Sequence, residues 1–409
     1  MISAGMKRGM GLAILIASGI VGELAAEAQS SGCNTPLAAP SVTVALPSNP
    51  FAVKPTADGC WVFVSMEGAR RGVAVLRRQN GQFEMVRVVS TPAPAGMVLT
   101  HDGKLLIAAA STSAIVLDVE RLTAGRGNPI VGTFGGRENR FLGSVYVNVT
   151  ADDKLLFVSQ EAGQSITVID LERARSNGFQ PDAIIGNISA GIAPIALTFS
   201  PDGKWLYTTS EGALGEWGWP NACKSEGPRR NRGGEDRLVH PEGAVLVVDV
   251  ARARTDPSHA VAARLPAGCS PVRMAISPEG RRLYVTARNS NAVEAFDTAK
   301  LISDPDHARV GSAPVGEAPV PIAVIDAGKR VVAGNSNRFA GGKAPQFLTV
   351  LDAAKIEEKG ANAELGRIPA GAFPRELSVS ADGRTLFLTN AGSRTIQIFD
   401  IDRLPVQPR

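Results

Sequence analysis

Residues of the kinds that carry metal or thiol chemistry are few in this chain of 409 residues. It has four His and four Cys, with no C-x-x-C and no H-E-x-x-H pattern. Zinc centres and covalent haem attachment are recognised by such spacings, so we expect no metal and no cofactor. The G-x-S-x-G pattern of many serine hydrolases is missing as well, because the nearest approach, residues 334–338, ends in Arg338.

Aromatic residues make up only 5% of the chain, and charge of one sign is nowhere concentrated. The 43 basic and 39 acidic residues are scattered, so the sequence has no basic stripe that could follow a phosphate backbone, and we do not expect nucleic acid as a partner. Gly (43 residues) and Pro (27 residues) are abundant, and 44% of all residues are hydrophobic. This composition favours many short strands and turns over long helices.

The longest apolar run lies at the start of the chain. Lys7 and Arg8 precede apolar residues 11–21, and small residues then lead to Ala26-Glu27-Ala28. This order is typical of a secretory signal, and the run is too short to span a membrane comfortably. We therefore expect a signal peptide over residues 1–28, cleaved near Ala28, and a mature protein that is secreted or periplasmic with no membrane span.

One turn pattern recurs along the chain. Residues 199–207 read FSPDGKWLY, and residues 276–280 and 379–383 read ISPEG and VSADG. Seven copies occur, about 50 residues apart, as in repeat architectures. Pro presets φ, Asp bonds its own backbone and Gly accepts positive φ, so each copy predicts a hairpin. Asp153 replaces Gly in the third copy, and Asp tolerates the same left-handed backbone.

Each copy predicts four strands. In six copies the third strand closes on an aspartate: Asp118, Asp170, Asp249, Asp297, Asp352 and Asp400. A four-stranded sheet with two apolar faces must pack against neighbours, and seven such sheets close into a ring. We therefore expect an all-β fold, a seven-bladed β-propeller of four-stranded antiparallel blades over residues 41–402, between a linker (residues 29–40) and a tail (residues 403–409).

The chain ends predict how the ring closes. The last copy stops after its third strand, whereas a surplus strand, residues 41–46, precedes the first copy. Pairing these two would complete the last blade and remove an open sheet edge. We expect the strand at residues 41–46 to pair with the strand that ends at Asp400.

The repeat resembles a known family. Its second strand reads Tyr284-Val285-Thr286-Ala287 in one copy and Phe387-Leu388-Thr389-Asn390 in another, after the Ser-Pro-Asp-Gly turn and before the Val-Ile-Asp strand. These motifs resemble the YVTN family of propeller repeats over roughly residues 41–402. Such propellers are similar to seven-bladed lactonases and to the propeller subunits of quinoprotein amine dehydrogenases. The resemblance implies the fold and an extracytoplasmic setting, but it fixes no activity.

Two copies carry insertions between the second and third strands. The larger spans about residues 212–243 in blade 4, and a smaller one spans residues 337–346 in blade 6. Both lie on the face that also carries the loops entering each innermost strand, which we call the top face. The larger insertion holds Trp217, Trp219, Arg237 and His240, residue types that are frequent in binding sites. Alternatively, it is a solvated loop whose tryptophans only cap blade 4.

Charged residues are aligned at two levels of the top face. Glu67, Glu161, Glu211 and Arg288 follow second strands, while Tyr146, Arg273, Arg375 and Glu376 enter innermost strands where other copies have small or apolar residues. Together they could bind an anionic or polyhydroxylated ligand, with Arg as bidentate donor. An ordinary charged rim is the alternative interpretation.

Four cysteines in an exported chain predict two disulfides, with three possible pairings. Strand direction selects one of them. Cys33 and Cys60 both lie near the face of the Asp-Gly turns, here called the bottom face, whereas Cys223 and Cys269 lie in top-face loops. Sulfurs at opposite ends of a strand cannot meet, so we predict Cys33–Cys60 and Cys223–Cys269.

These observations leave the function open between three classes. The leading interpretation is a monomeric binding module that holds an unknown small molecule or protein at its top face. The first alternative is a lactonase-like hydrolase of a small lactone or sugar-derived substrate, in which Glu and Arg or His would position water and polarise the ester. The second, implied by the resemblance to quinoprotein propellers, is a redox-accessory role with a partner subunit.

Overall fold

The computed structural model describes residues 35–111, 113–135, 142–224, 238–338, 346–358 and 362–408, together with Met1 and Cys33. Within these residues, 28 strands form seven four-stranded antiparallel sheets. The innermost strand of each sheet contacts the innermost strands of the two neighbouring sheets, the last and the first included. The predicted seven-bladed β-propeller is confirmed.

The blades follow one another along the chain. Strand β1 (Ser41–Ala45) comes first. Blade 1 contains β2 (Asn49–Pro55), β3 (Trp61–Glu67), β4 (Gly72–Gln79) and β5 (Gln82–Val89). Blade 2 contains β6 (Pro94–Leu99), β7 (Leu105–Ala110), β8 (Ser113–Asp118) and β9 (Ile130–Gly135). Blade 3 contains β10 (Ser144–Val149), β11 (Leu155–Gln160), β12 (Ser165–Asp170) and β13 (Ile184–Ser189).

The remaining blades repeat this order. Blade 4 contains β14 (Ile192–Phe199), β15 (Trp205–Gly212), β16 (Ala244–Asp249) and β17 (Val261–Pro266). Blade 5 contains β18 (Pro271–Ile276), β19 (Arg282–Ala287), β20 (Ala292–Asp297) and β21 (Arg309–Pro314). Blade 6 contains β22 (Pro319–Ile325), β23 (Arg330–Asn335), β24 (Phe347–Asp352) and β25 (Glu364–Pro369). Blade 7 contains β26 (Pro374–Val379), β27 (Thr385–Asn390) and β28 (Thr395–Asp400).

The closing strand is confirmed as well. Strand β1 pairs antiparallel with β28, with Val42 opposite Ile398, and becomes the outer strand of blade 7. The flanking segments also pack on the propeller. Arg78 donates to the carbonyl of Thr35 at 2.7 Å, and Gln407 exchanges backbone hydrogen bonds with Arg367 of β25.

The repeat motifs have local structural causes. In the turns, a Ser or Thr hydroxyl donates to the turn aspartate, as Ser200 does to Asp202 at 2.6 Å, and Gly203 has φ of 70°. Asp153 takes φ of 53° in place of Gly, as predicted. The closing aspartates accept backbone N–H groups; those of blades 2 to 4 cap helices. The three capped helices are α1 (Val119–Ala124), α2 (Leu171–Asn177) and α3 (Val250–Thr255), and a further helix is α4 (Lys300–Ser303).

The second strand supplies hydroxyls that link adjacent blades. In five blades its Ser or Thr accepts the N–H of the innermost strand of its own blade and donates to a carbonyl of the next blade's innermost strand. These residues are Ser65, Ser159, Thr209, Thr286 and Thr389. Blades 2 and 6 have Ala109 and Gly334 at this register. The Thr of the YVTN-like motif is thus a connection between blades, set among the apolar side chains that fill the space between sheets.

Both predicted disulfides are present, Cys33–Cys60 and Cys223–Cys269. Two disulfides fit an oxidising compartment. Among the described residues, no helix is long and apolar enough to cross a membrane. The expected signal peptide and its cleavage near Ala28 lie outside the described residues.

Candidate functional site

A bulge near the start of each innermost strand shapes the central channel. In all seven blades the pairing with the second strand shifts there, for example between Pro271 and Met274 in β18 and between Pro374 and Glu376 in β26. A bulge re-aims the side chains that follow it and is frequent beside functional sites. Tyr146, Arg273 and Glu376, which the sequence analysis aligned at the start of the innermost strands, lie close together here.

These three residues and Lys54 form a polar layer across the channel, which we call the plug. The hydroxyl of Tyr146 contacts Oε2 of Glu376, and the guanidinium of Arg273 lies 4.4 Å from the Tyr146 ring centroid. Lys54 Nζ lies 3.3 Å from Oε1 of Glu376. Burial and the Glu376 carboxylate raise the pKa of Tyr146 well above its usual range, so it stays a neutral hydroxyl donor.

Arg375 lies at the channel mouth on the top face. Its guanidinium lies 4.2 Å from the ring centroid of Phe51 and 5.6 Å from that of Phe373. The guanidinium of Arg338 also contacts Phe373, at 5.8 Å. Desolvation lowers the pKa of Arg375 to about 10, with Glu67 opposing the shift. Among the described residues, no carboxylate pairs directly with its guanidinium.

The aligned glutamates form a rim around this mouth. Arg288, only 6% exposed, donates two hydrogen bonds to the carboxylate of Glu211, at 2.7 and 2.9 Å. Glu161 remains accessible to solvent, yet partial desolvation and the nearby Glu211 carboxylate raise its pKa. Arg375, Arg288 and Arg273 are close enough to oppose that shift. The rim therefore combines a neutralised ion pair with a carboxyl that binds its proton more tightly than usual.

The large insertion has two parts with different surroundings. Trp217 and Trp219 are half-buried over blades 3 and 4, with ring centroids 5.3 Å apart, and Arg264 of the outer strand β17 lies over Trp217. A Cβ on Gly191 would lie 2.8 Å from the Trp217 ring, so this packing requires glycine there. Trp217 and Trp219 thus pack against the body of blade 4.

The second part of the insertion reaches blade 5. Cys223 pairs with the backbone of His240 and is bonded to Cys269, while Asn289, next to Arg288, donates to the carbonyl of Lys224 at 2.8 Å. Nδ1 of His240 lies 2.8 Å from the carbonyl of Pro241. Arg237 lies outside the described residues.

Four residues of the site escaped the sequence analysis: Lys54, Phe51, Phe373 and Arg338. Lys54 had a signal, because it is the cation two positions beyond Ala52 where the aligned copies have uncharged residues such as Val98, Asn148 and Thr198. The two phenylalanines had none, since an aromatic residue within an innermost strand (Phe51) or just before one (Phe373) is indistinguishable from core. The described residues contain no group of three or more His, Cys, Asp or Glu placed to hold a metal ion.

Fold and site define the class: a seven-bladed β-propeller with a plugged central channel and a charged, aromatic-lined mouth. Residues 244–405 match the family described as "Lactonase, 7-bladed beta-propeller", so this part of the chain, less than half of its length, is similar to that family. No curated protein matches it.

Two solved structures are similar in fold. One is hydrazine synthase of Kuenenia stuttgartiensis, with a TM-score of 0.62 and 17% identity over 90% of this chain and 98% of that one. The other, from a crystal structure of the mitotic checkpoint complex, has a TM-score of 0.61 and 14% identity over 89% of this chain and 94% of that one. At such identities the likeness shows the fold alone.

Proposed function

We propose that the top face binds a small anionic ligand at the channel mouth, with Arg375 as its principal donor. The observation that carries this proposal is the position of Arg375: its charge is desolvated against Phe51 and Phe373, and no described carboxylate pairs directly with it. A guanidinium stacked on aromatic faces keeps its hydrogen-bonding edge available, and carboxylate or phosphate matches that edge with two parallel bonds.

The surroundings favour an anion of limited size. Arg273 and Arg338 lie close enough to influence the charge of Arg375, and so do the carboxylates of Glu67 and Glu161. Three cations thus face two carboxylates at the mouth. Arg288 is neutralised by Glu211 and is better suited to shape the rim than to bind. A mouth with aromatic walls and a few convergent polar groups has the ordinary composition of a small-molecule site.

The test uses the mature chain and three probes: citrate, succinate and inorganic phosphate. Isothermal titration calorimetry at low ionic strength should show binding of at least one of them, and Arg375→Met should weaken it at least tenfold. Arg384→Met is the matched control, because Arg384 is an exposed arginine beside a bottom-face turn. Equal affinities in the parent and Arg375→Met, or no binding of any probe, would contradict the proposal.

One observation favours lactone hydrolysis as a second candidate. The raised pKa of Glu161 and its arginine neighbours fit a base that activates water while guanidinium groups stabilise the developing oxyanion. Incubation with γ-butyrolactone and δ-valerolactone in a pH-stat should then release acid, and Glu161→Gln should abolish that release. Failure to hydrolyse either lactone would remove this candidate without touching the binding proposal.

We also propose that the mature protein acts outside the cytoplasm as a monomer, starting near residue 29. The signal-like residues before Ala28 and the two disulfides support this setting. N-terminal sequencing of exported protein and its mass by light scattering would test both statements.

A further inference from the structure

Beneath the plug, the channel contains a second compartment that opens towards the bottom face. This chamber has a volume of about 230 Å³, and its polar lining comes from Lys54, Asn148, Thr198, Arg273 and Glu376. Tyr146 lines it as well, so all four residues of the plug form part of its wall, whereas Arg375 is not among its lining residues.

The chamber adjoins an apolar groove on the bottom face. The groove, of about 690 Å³, lies between blades 1, 2 and 7, and its walls include Trp61, Leu99, Val119 and Val379. These four side chains are half-buried, so each leaves apolar surface exposed. Lys54 and Val98 line both the groove and the chamber. The two spaces therefore adjoin at these residues, and we call them together the path, which is apolar outside and charged at its inner end.

Positive charge exceeds negative charge at the inner end of the chamber. Lys54 Nζ has three protons, and its ionic partner is Glu376, whose other oxygen contacts the Tyr146 hydroxyl. Arg273 is only 7% exposed, and its buried Nε has no hydrogen-bond partner among the described residues; Oε1 of Glu376, which lies in the ion pair with Lys54, has none there either. With Glu376 counted against the two cations, one positive charge remains. An unpaired buried donor of this kind is costly unless a ligand or water satisfies it.

We propose that this path is a second binding site, for an amphipathic monocarboxylate whose apolar body lies in the groove and whose carboxylate accepts from Lys54 and Arg273. A pocket that is mostly apolar with a few converging polar groups is typical for such ligands. Charge complementarity selects a carboxylate over an amine or an alcohol of the same length. The site differs from the anion site at the mouth: its ligand uses Lys54 and the groove, whereas the mouth uses Arg375, which does not line the chamber, and Arg273 lies close to both.

The experiment titrates the mature chain with decanoate, 1-decanol and acetate by calorimetry, below the critical micelle concentration of decanoate. Decanoate should bind at least tenfold more tightly than either decanol or acetate, since only decanoate uses both the groove and the cations. Citrate at saturating concentration should not displace it. Equal affinity for decanol, displacement by citrate, or no binding of decanoate would overturn the proposal.

Two variants test where decanoate binds. Lys54→Met should weaken decanoate binding at least tenfold, whereas Lys104→Met, an exposed lysine near the same face, should not change it. Lys54→Met also removes the ion pair of Glu376, so a second variant is needed that keeps this pair. Val379→Glu does so and places a negative charge in the groove, which repels the decanoate anion. Unchanged decanoate binding in a folded Lys54→Met or Val379→Glu protein would refute the site.

Discussion

The hydroxyl of Thr389 donates to the carbonyl of Phe51 at 2.9 Å and joins the last blade to the first. The same oxygen accepts the N–H of Glu376 at 3.0 Å. One side chain therefore links the ring closure, the plug residue Glu376 and the strand that places Phe51 beneath Arg375.

Replacing Thr389 by Val should destabilise the protein without changing its fold. The substitution keeps the shape but leaves a buried carbonyl and a buried N–H without partners, which costs about 1–3 kcal/mol. Urea denaturation measures the loss. Thr43→Val, at an exposed position of β1, is the control and should change stability by less than about 0.5 kcal/mol. Equal stabilities of the two variants would show that the closing bond contributes nothing.

Deletion of residues 29–47 should cause aggregation. It removes β1 and exposes the edge of β28, whose backbone groups would then pair with other chains. Size-exclusion chromatography detects the aggregates. Because the deletion also removes Cys33, the control is the double variant Cys33→Ser, Cys60→Ser, which keeps β1 and should stay monodisperse. A monodisperse deletion variant as stable as the parent would count against closure by β1.

Glu211→Gln should be clearly destabilising. It leaves the guanidinium of Arg288 buried without its carboxylate, and breaking such a pair from one side costs about 2 kcal/mol or more. Urea denaturation at neutral pH measures the effect. Glu216→Gln, an exposed glutamate of the same insertion, should have almost none. A neutral result for Glu211→Gln would mean that water replaces the carboxylate at the rim.

The sequence predicted the fold well because its evidence is repeated seven times. The Asp-Gly turns and the closing aspartates are local signals, and each recurs with the same backbone role. The disulfides followed from strand direction alone. The site was harder, because each of its members occurs once. The tryptophans of the insertion are an example: their composition fitted either a ligand site or a cap on blade 4, and Trp217 packs over Gly191 and blade 4.

Lys54 shows the opposite failure. In the sequence its one signal is a positive charge at a position where the aligned copies have uncharged residues. Its role depends on Glu376, 322 positions away in the chain but 3.3 Å away in the channel. Such pairings arise from ring closure, and no local pattern contains them.

As the pH rises, the parent should lose more stability than the Glu161→Gln variant does. The pKa of Glu161 is raised in the folded state by desolvation and Glu211, so the folded protein holds this proton to higher pH than the unfolded chain does. Stability is therefore lost as the pH rises from the unfolded value of about 4.3 through the folded value. Urea denaturation at pH 4 and pH 7 measures the difference, and the exposed Glu120→Gln should show the pH dependence of the parent. Parallel curves for the parent and Glu161→Gln would contradict the shift.

Replacing residues 214–241 by a short Gly-Ser turn should leave the propeller folded but weaken anion binding at the mouth. The four strands of blade 4 lie outside the replaced segment, so the sheet is retained. The segment does hold Lys224, whose carbonyl accepts from Asn289, and Cys223, which tethers the insertion to Cys269 beside the Arg288 loop. Without these contacts the rim is less ordered, and the ligand must supply more of the ordering entropy. Circular dichroism checks the fold, and citrate calorimetry checks the site.

Trp217→Ala separates the two parts of the insertion: it should cost about 2 kcal/mol of stability by removing packing over blade 4, yet keep citrate affinity. Full citrate binding after the replacement of residues 214–241 would show that the mouth functions without the insertion and would restrict its role to capping blade 4.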